Sequence, residues 1–289
     1  SAMLTRDVGA DSQRVSVGGD WSNLTVLPGG FTFKPFAEVR ADYYALDEAV
    51  SGEPDVSRAV GNAGVKIAYP LIRPGKVVDI MVEPTVMAAW GFSNANDSAI
   101  PNEDSRLYEF DEGSLFEANG FGNYDLYEGD GKASAGVTAR AVFRNGPEFS
   151  TTLGRRWRSR ADPNFDVASN LDGTSSDWVA ESTADFGRAL RVDTRVRLDD
   201  DGFKLNRIDA RLTTNYKRLR AVGQYYNISE RISPLGRPDE GIFLRGEMRV
   251  TDRYSLVYGQ LRDITANLNA KREFGIAYED DCSRFEIIY

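Results

Sequence analysis

No histidine occurs anywhere in the 289 residues, which removes the usual general base at neutral pH and the commonest metal ligand. A single cysteine, Cys282, allows no disulfide within the chain and no cysteine-ligated zinc site. Long hydrophobic runs are missing as well. The longest, Val86 to Trp90, is five residues, against roughly 20 for a transmembrane helix. Nor is there a basic surplus: 35 Lys and Arg against 44 Asp and Glu leave a net charge of −9, which argues against nucleic-acid binding, whose footprint is a basic face. Gly120, Gly122, Gly129 and Gly131 lack the strand-then-helix context of a phosphate-binding loop, and the scattered carboxylates motivate no glycosidase pair. These absences point to a non-enzymatic protein with no catalytic residues, no metal site and no cofactor.

What is present suffices for a folded chain. Hydrophobic residues make up 41% and aromatics 11%, too much for disorder, and the length fits one large domain or two small ones. Ser1-Ala2-Met3 reads as an expression scar with no signal segment after it, leaving 4–289 as the protein proper.

The periodicity is two nearly everywhere. Phe31, Phe33, Pro35, Ala37, Val39, Ala41 and Tyr43 alternate with Thr32, Lys34, Phe36, Glu38, Arg40 and Asp42. Successive strand residues point to opposite faces, so this is a strand with one apolar and one charged face. The same alternation recurs at 80–90, 133–143, 191–198, 207–216 and 242–250. Taking alternation bounded by turn residues as the criterion, we expect about fourteen strands, over 21–27, 31–45, 57–73, 77–90, 131–143, 148–158, 177–187, 190–198, 203–216, 219–228, 241–250, 253–262, 268–278 and 282–289.

The connections are sorted. Tight ones at 28–30, 74–76, 145–147, 187–189, 217–218, 251–252 and 279–281 alternate with mostly longer ones at 46–56, 91–130, 159–176 and 229–240, with 263–267 intermediate and 199–202 short on that side. Long loops on one side and tight turns on the other is the pattern of outer-membrane barrels. Alternation alone would equally suit a soluble antiparallel sheet with one wet face, but a soluble sandwich has no reason to sort its loops by parity. The fold class expected is therefore all-β, an antiparallel transmembrane β-barrel. With tight turns facing the periplasm, the first of the fourteen strands runs inward and the last outward, so the segment reads as part of a larger barrel lacking at least one strand at each end.

On the charged face, Lys34, Glu38, Arg40, Asp42, Arg191, Asp193, Arg195, Arg197, Arg207, Asp209, Arg211, Arg245, Glu247 and Arg249 form a candidate lumen wall. Opposite charges across strands stabilise a sheet by about 0.2–1 kcal/mol per pair. Such a wall keeps a lumen hydrated and could guide a polar, anionic group, or it is simply a solvated face with paired charges. The long connection 91–130 carries ten acidic residues against one base, Arg106. Carboxylates at this density could bind divalent cations through oxygen ligands, but no twelve-residue calcium loop fits, so a solvated or lumen-plugging loop is the favoured reading. Pro35, Pro70 and Pro84 fall inside strands and are expected to mark bulges. Cys282 sits at a turn on the periplasmic, oxidising side, where a disulfide to a cysteine outside the segment competes with an inert thiol.

Pro101, Asn102, Glu103, Asp104 and Ser105 are followed by Glu109, Phe110 and Asp111 and by Ser114-Leu115-Phe116. Gly122-Asn123-Tyr124-Asp125, Tyr69-Pro70-Leu71, Val82-Glu83-Pro84, Ser176-Asp177-Trp178-Val179 and Tyr278-Glu279-Asp280-Asp281-Cys282 complete a set of motifs. Together, from about Trp21 to Tyr289, they resemble a known family, the LPS-assembly protein LptD family in its alphaproteobacterial form. The resemblance implies the C-terminal portion of a barrel of about 26 strands in the Gram-negative outer membrane, serving lipopolysaccharide transport and insertion into the outer leaflet. The partners it implies are lipopolysaccharide, outer-membrane lipid, an LptE-like plug lipoprotein, and the protein's own periplasmic N-terminal domain with the periplasmic bridge that feeds it. It also implies that Cys282 pairs with a cysteine of that N-terminal domain. Family members often carry two adjacent cysteines where this chain has Cys282 then Ser283. Two other readings stay open: a closed diffusion porin or small-solute channel, and a soluble all-β binding module.

Overall fold

A computed structural model describes residues 2–4, 11–47, 55–93, 100, 102, 104 and 108–289. The strands are β1 (Ala2–Leu4), β2 (Asp11–Ser22), β3 (Thr25–Val26), β4 (Thr32–Asp47), β5 (Asp55–Ala68), β6 (Leu71–Arg73), β7 (Val78–Ser93), β8 (Asp130–Phe143), β9 (Glu148–Arg158), β10 (Trp178–Asp185), β11 (Arg191–Leu198), β12 (Leu205–Tyr216), β13 (Leu219–Ile228), β14 (Asp239–Arg249), β15 (Tyr254–Asp263), β16 (Leu268–Glu279) and β17 (Arg284–Ile288). One 3-10 turn, Val167–Ser169, interrupts an otherwise all-β chain among the described residues. The strands belong to one sheet, antiparallel and paired in chain order, as at β4–β5, β12–β13 and β15–β16.

Each of the fourteen expected strands is present. The first begins ten residues earlier than expected, because Asp11–Ser22 pairs along the whole of β4 from Asp11↔Asp47 to Ser22↔Phe36. An additional strand, β1, pairs with β2 through Ala2↔Arg14, Met3↔Gln13 and Leu4↔Ser12. Among the described connections, 159–177 and 229–238 are long as expected, but 264–267 is as short as the tight turns 144–147 and 250–253. The tight turns use left-handed glycines where the chain must reverse sharply, with Gly29 at φ 89, Gly30 at φ 88 and Gly146 at φ 116.

The expected proline bulges are not bulges. Ser22↔Phe36 and Thr25↔Phe33 keep one register across the gap between β2 and β3. Ala68↔Thr85 and Leu71↔Val82 likewise keep one register across the gap between β5 and β6, where Pro70 lies. At each gap a proline accepts a bond and cannot return one: Asn23 N donates to Pro35 O at 3.2 Å, and Tyr69 N donates to Pro84 O at 3.0 Å. The missing N–H, not an inserted residue, ends the ladder there. Register shifts occur instead at Arg197/Leu198 and Leu261/Arg262.

The chain divides into two compact units, one of 1–70, 83–137 and 154–177, the other of 71–82, 138–153 and 178–289. In the first, burial is inverted relative to a water-soluble sheet. Along β7, Thr85, Met87 and Ala89 are buried while Val86, Ala88 and Trp90 are exposed, Trp90 by 64%. Along β5, Val56, Arg58, Val60 and Asn62 are covered and Ser57, Ala59 and Ala63 are not. Arg156 is wholly buried while its strand neighbour Trp157 is 42% exposed. The second unit likewise presents exposed apolar rows, such as Phe274, Ile276, Phe285 and Ile287. Apolar rows exposed along many adjacent strands are the outward face of a membrane barrel, since water-soluble proteins rarely leave large contiguous apolar patches uncovered.

Candidate functional site

What buries the polar face of the first unit is the long connection itself. Residues 108–129 fold back over β2, β4, β5, β8 and β9 and are held by two clusters of charge. In the first, Glu128 is wholly buried and pairs with Arg156, and its other oxygen lies 3.3 Å from Arg158 Nε. Gly120 N also donates to Glu128 at 2.9 Å, and Lys132 Nζ donates to its backbone oxygen. The Arg156 guanidinium then threads the loop. It donates to the carbonyls of Ser114, Leu115 and Glu117 at 3.1, 3.0 and 2.7 Å, to Ser134 Oγ at 2.9 Å, and lies 4.6 Å from the Phe110 ring centroid. Burial alone would push the Glu128 carboxyl up. The cations Arg156, Lys132 and Arg158 outweigh it, and the group titrates below its ordinary value. Tyr108, in the same connection, is pushed up to about 12, first by burial.

In the second cluster Asp125 receives Arg14 at 2.7 Å and the Tyr44 hydroxyl at 3.3 Å. Arg58 donates to Asp42 at 2.6 Å, to Tyr44 Oη at 2.8 Å and to the Asp125 carbonyl at 2.7 Å. Asp104 closes the turn by accepting from Tyr124 N and Asp125 N at 3.1 and 3.0 Å, and it pairs with Arg14 at 3.1 Å. The Tyr124 ring lies between Arg14 and Arg40, 4.5 and 4.6 Å from its centroid. Tyr127 and Asn62 share Glu38: Asn62 Nδ2 donates to Glu38 at 2.9 Å and the Tyr127 hydroxyl at 3.2 Å.

Close backbone approach makes the fit possible. A Cβ on Gly154 in β9 would collide with the Leu115 side chain, and one on Gly120 would meet Glu128 Oε2 at 2.7 Å. The neighbouring connection 159–177 adds a buttress: Phe110 N donates to Ser169 O at 2.8 Å, and Asn170 Nδ2 donates to Phe110 O at 3.1 Å.

The expected wall residues fall into two groups. Glu38, Arg40 and Asp42 lie under the connection, Arg40 donating to Asp42 and to the Tyr124 carbonyl at 2.8 Å. Lys34 is directly opposite Lys66, a like-charge pair. In the second unit the strand registers place the rest on one face: Arg195 opposite Glu181 and Asp209, Asp193 opposite Arg211, and Arg197 opposite Arg207. Arg191 pairs with Asp193 at 2.8 Å, and Arg245 with Glu286 at 3.0 Å. Glu247 pairs with Arg284 at 3.1 Å, and Arg249 lies opposite Ser255. Of the motif residues in the connection, Pro101, Glu103 and Ser105 lie outside the described residues. Asn102 is half-buried. Glu109 and Asp111 flank the buried Phe110, and Asp111 accepts from Ser114 N at 3.1 Å. Cys282 is exposed, in a turn whose Asp280 carboxylate accepts from Cys282 N at 3.0 Å and Ser283 N at 2.8 Å. Those donors, with the Tyr278 hydroxyl, hold Asp280 below its usual range.

Sequence reasoning missed Glu128, Arg156, Arg158, Arg58 and Arg14 as the groups that hold the connection. The run Arg155-Arg156-Trp157-Arg158-Ser159-Arg160 hides its alternation, because both of its faces carry arginine.

A family profile described as "LptD: LPS transport system D" matches residues 1–259. No curated protein matches the sequence. Among solved structures, the FrpB iron transporter from Neisseria meningitidis (F3-3 variant) is similar at 11% identity and a TM-score of 0.42, over 96% of this chain and 50% of that one. The chain thus spans about half the length of that structure.

Proposed function

The chain belongs to the LptD family of the lipopolysaccharide transport system, a family of outer-membrane β-barrels, and on that premise we propose that it forms part of the wall through which lipopolysaccharide reaches the outer leaflet. The observation that carries this reading is the division of labour between faces. Exposed apolar rows suit the bilayer, while the opposite face is charged, ion-paired and covered in part by a folded connection. A hydrated, charged face suits a saccharide, which needs hydrogen-bonding groups along its path. Acyl chains would travel on the membrane side.

The chain is on this reading one portion of a larger barrel, with 91–130 its long loop. The partners are the family's own: lipopolysaccharide, outer-membrane lipid, an LptE-like plug lipoprotein, and the periplasmic N-terminal domain with its bridge. Cys282, exposed at a tight turn, is the proposed point of covalent attachment to that domain. Depletion of the full-length protein in its source bacterium tests the reading. Surface-exposed lipopolysaccharide should fall while small-solute uptake persists. Loss of solute uptake with undiminished surface lipopolysaccharide would favour a porin instead.

A further inference from the structure

The outward face of the second unit is hollowed where β8 to β11 lie side by side. Two polar contacts fix which face this is. Arg140 pairs with Glu148 at 2.6 Å, and Thr183 Oγ1 donates to Asp193 at 2.9 Å. These residues mark the charged face. The alternate positions Ala139, Ala141, Phe149, Ser182, Ala184 and Thr194 therefore stand on the other one. They line a groove of about 400 Å³, together with Ile80, Thr151 and Val192. Alanine and serine leave its floor low, while Ile80 and Phe149 rise beside it, each 38% exposed. Thr151 Oγ1 donates to the Glu181 carbonyl at 3.1 Å and lies 2.9 Å from Ser182 Oγ, so these hydroxyls make no demand on an occupant.

At the tight-turn end three rings meet edge to face, Phe143 with Phe149 at 5.8 Å and Phe149 with Phe186 at 5.4 Å. Rings at strand ends suit the interfacial girdle of a membrane barrel. Beyond them the charge has one sign. The connections 74–77, 144–147, 186–190 and 217–218 carry Lys76, Arg144, Arg188, Lys217 and Arg218 and no acid. In a chain of net charge −9 this surplus is local: 199–204, at the other end of β11, holds Asp199, Asp200 and Asp201 against Lys204, and 250–253 and 280–283 bring Asp252, Asp280 and Asp281. Part of it is engaged. Arg144 pairs with Asp79 at 2.8 Å, and Arg218 donates to Val250 O at 3.1 Å. Arg188, two residues beyond Phe186, is exposed, and among the described residues its side chain makes no hydrogen bond and no ion pair. Asn215 N donates to the Arg188 carbonyl at 3.0 Å, which draws this turn toward Lys217.

We propose that the groove seats one acyl chain of an anionic phospholipid whose phosphate lies at Arg188. A hollow in a membrane-facing wall has to be filled, because surface left without a neighbour forfeits its dispersion contacts. Its apolar lining suits hydrocarbon, and the rim decides the headgroup, since bases at a membrane surface attract anionic lipid. With tight turns on the periplasmic side, this lipid belongs to the leaflet opposite the one that receives lipopolysaccharide. The inference rests on the chain's place in the outer membrane and not on what it transports.

The test is native mass spectrometry of the full-length protein released from detergent, with phosphatidylglycerol and phosphatidylethanolamine of the same acyl chains as probes. Wild type should retain phosphatidylglycerol about fivefold over phosphatidylethanolamine, and added salt should narrow the difference. Arg188→Gln should abolish the preference, and Arg188→Lys should keep most of it. Arg253→Gln, at an exposed base of another turn, should leave it unchanged. Ala139→Phe with Ala184→Phe fills the groove and should lower retention of both lipids. Heat-modifiable gel migration checks that each variant is folded. Equal retention of the two lipids by wild type, or a preference that survives Arg188→Gln, would overturn the headgroup assignment. Unchanged retention by the filled variant would overturn the groove. Displacement of phosphatidylglycerol by lipopolysaccharide, dependent on Arg188, would overturn the choice of a phospholipid. A depletion that leaves surface lipopolysaccharide undiminished would sink the transport reading and alter none of these outcomes.

Discussion

Arg156 and Glu128, 28 positions apart in the chain, meet in an ion pair with no solvent exposure on either side chain. Such a pair contributes less through its mutual attraction than through the penalty for breaking it. Two charges withdrawn from water roughly offset their attraction, but a single one left behind costs about 3–5 kcal/mol.

Glu128→Ala should therefore detach residues 108–129 without unfolding the strands. Limited proteolysis in detergent should cut within the connection of the variant and spare wild type, while heat-modifiable migration is retained. A connection that stays resistant would mean that the Asp125 cluster holds it unaided.

The pH response has a definite sign. Glu128 titrates below its ordinary value of 4.5 in the folded protein, so its contribution is complete above that value and disappears as pH falls through the lowered one. Protease resistance of the connection should persist at pH 4.5 and be lost only in stronger acid. Glu128→Gln should remove this component of the pH profile, a comparison made by following cleavage from pH 6 to pH 2.

Gly154 is where the connection sits closest to the wall, with Leu115 against it. Gly154→Val should displace Leu115 and loosen the carbonyl bonds that Ser114 and Leu115 accept from Arg156. Hydrogen exchange across 112–120 should quicken, and Gly19→Ala, in β2 with nothing near the added Cβ, should leave that stretch unchanged.

Pro84 offers the opposite experiment. Tyr69 N already donates to its oxygen, so Pro84→Ala supplies the N–H that the register is waiting for. The new amide should be protected from exchange, and the net gain should be about 0.5–1.5 kcal/mol, typical of one hydrogen bond. A rapidly exchanging residue-84 amide would show that the gap is held open by something other than proline.

Cys282 should be unreactive toward a maleimide in outer membranes from the native organism until a reductant is added. Labelling before reduction would remove the proposed link to the periplasmic domain.

The alternation from Phe31 to Tyr43 and from Ile208 to Tyr216 is enough to read strands and faces, because a period of two survives any sequence that keeps one face apolar. Val15 and Val17 began the same pattern further upstream, but Gly18 and Gly19 ended it after two apolar positions, and only pairing along β4 reveals the strand. The proline gaps were visible as prolines, yet their effect was misread, since register is a property of two strands and not of one. The straps over the polar face were illegible for a related reason: Arg14 and Asp125 are 111 positions apart, and nothing local marks either as the other's partner.

Those separations also order events in time. The connection is gripped by Arg14 and Arg58, which precede it, and by Arg156 and Arg158, which follow it. Neither grip exists until β2, β5 and β9 have found their neighbours, and contacts of long sequence separation form late because their loop-closure cost comes first. The connection is thus the last piece of its unit to settle during biogenesis, and a chain stalled before β9 would carry an unstoppered face into the membrane. Seating of residues 108–129 is in effect the completion signal of this part of the wall.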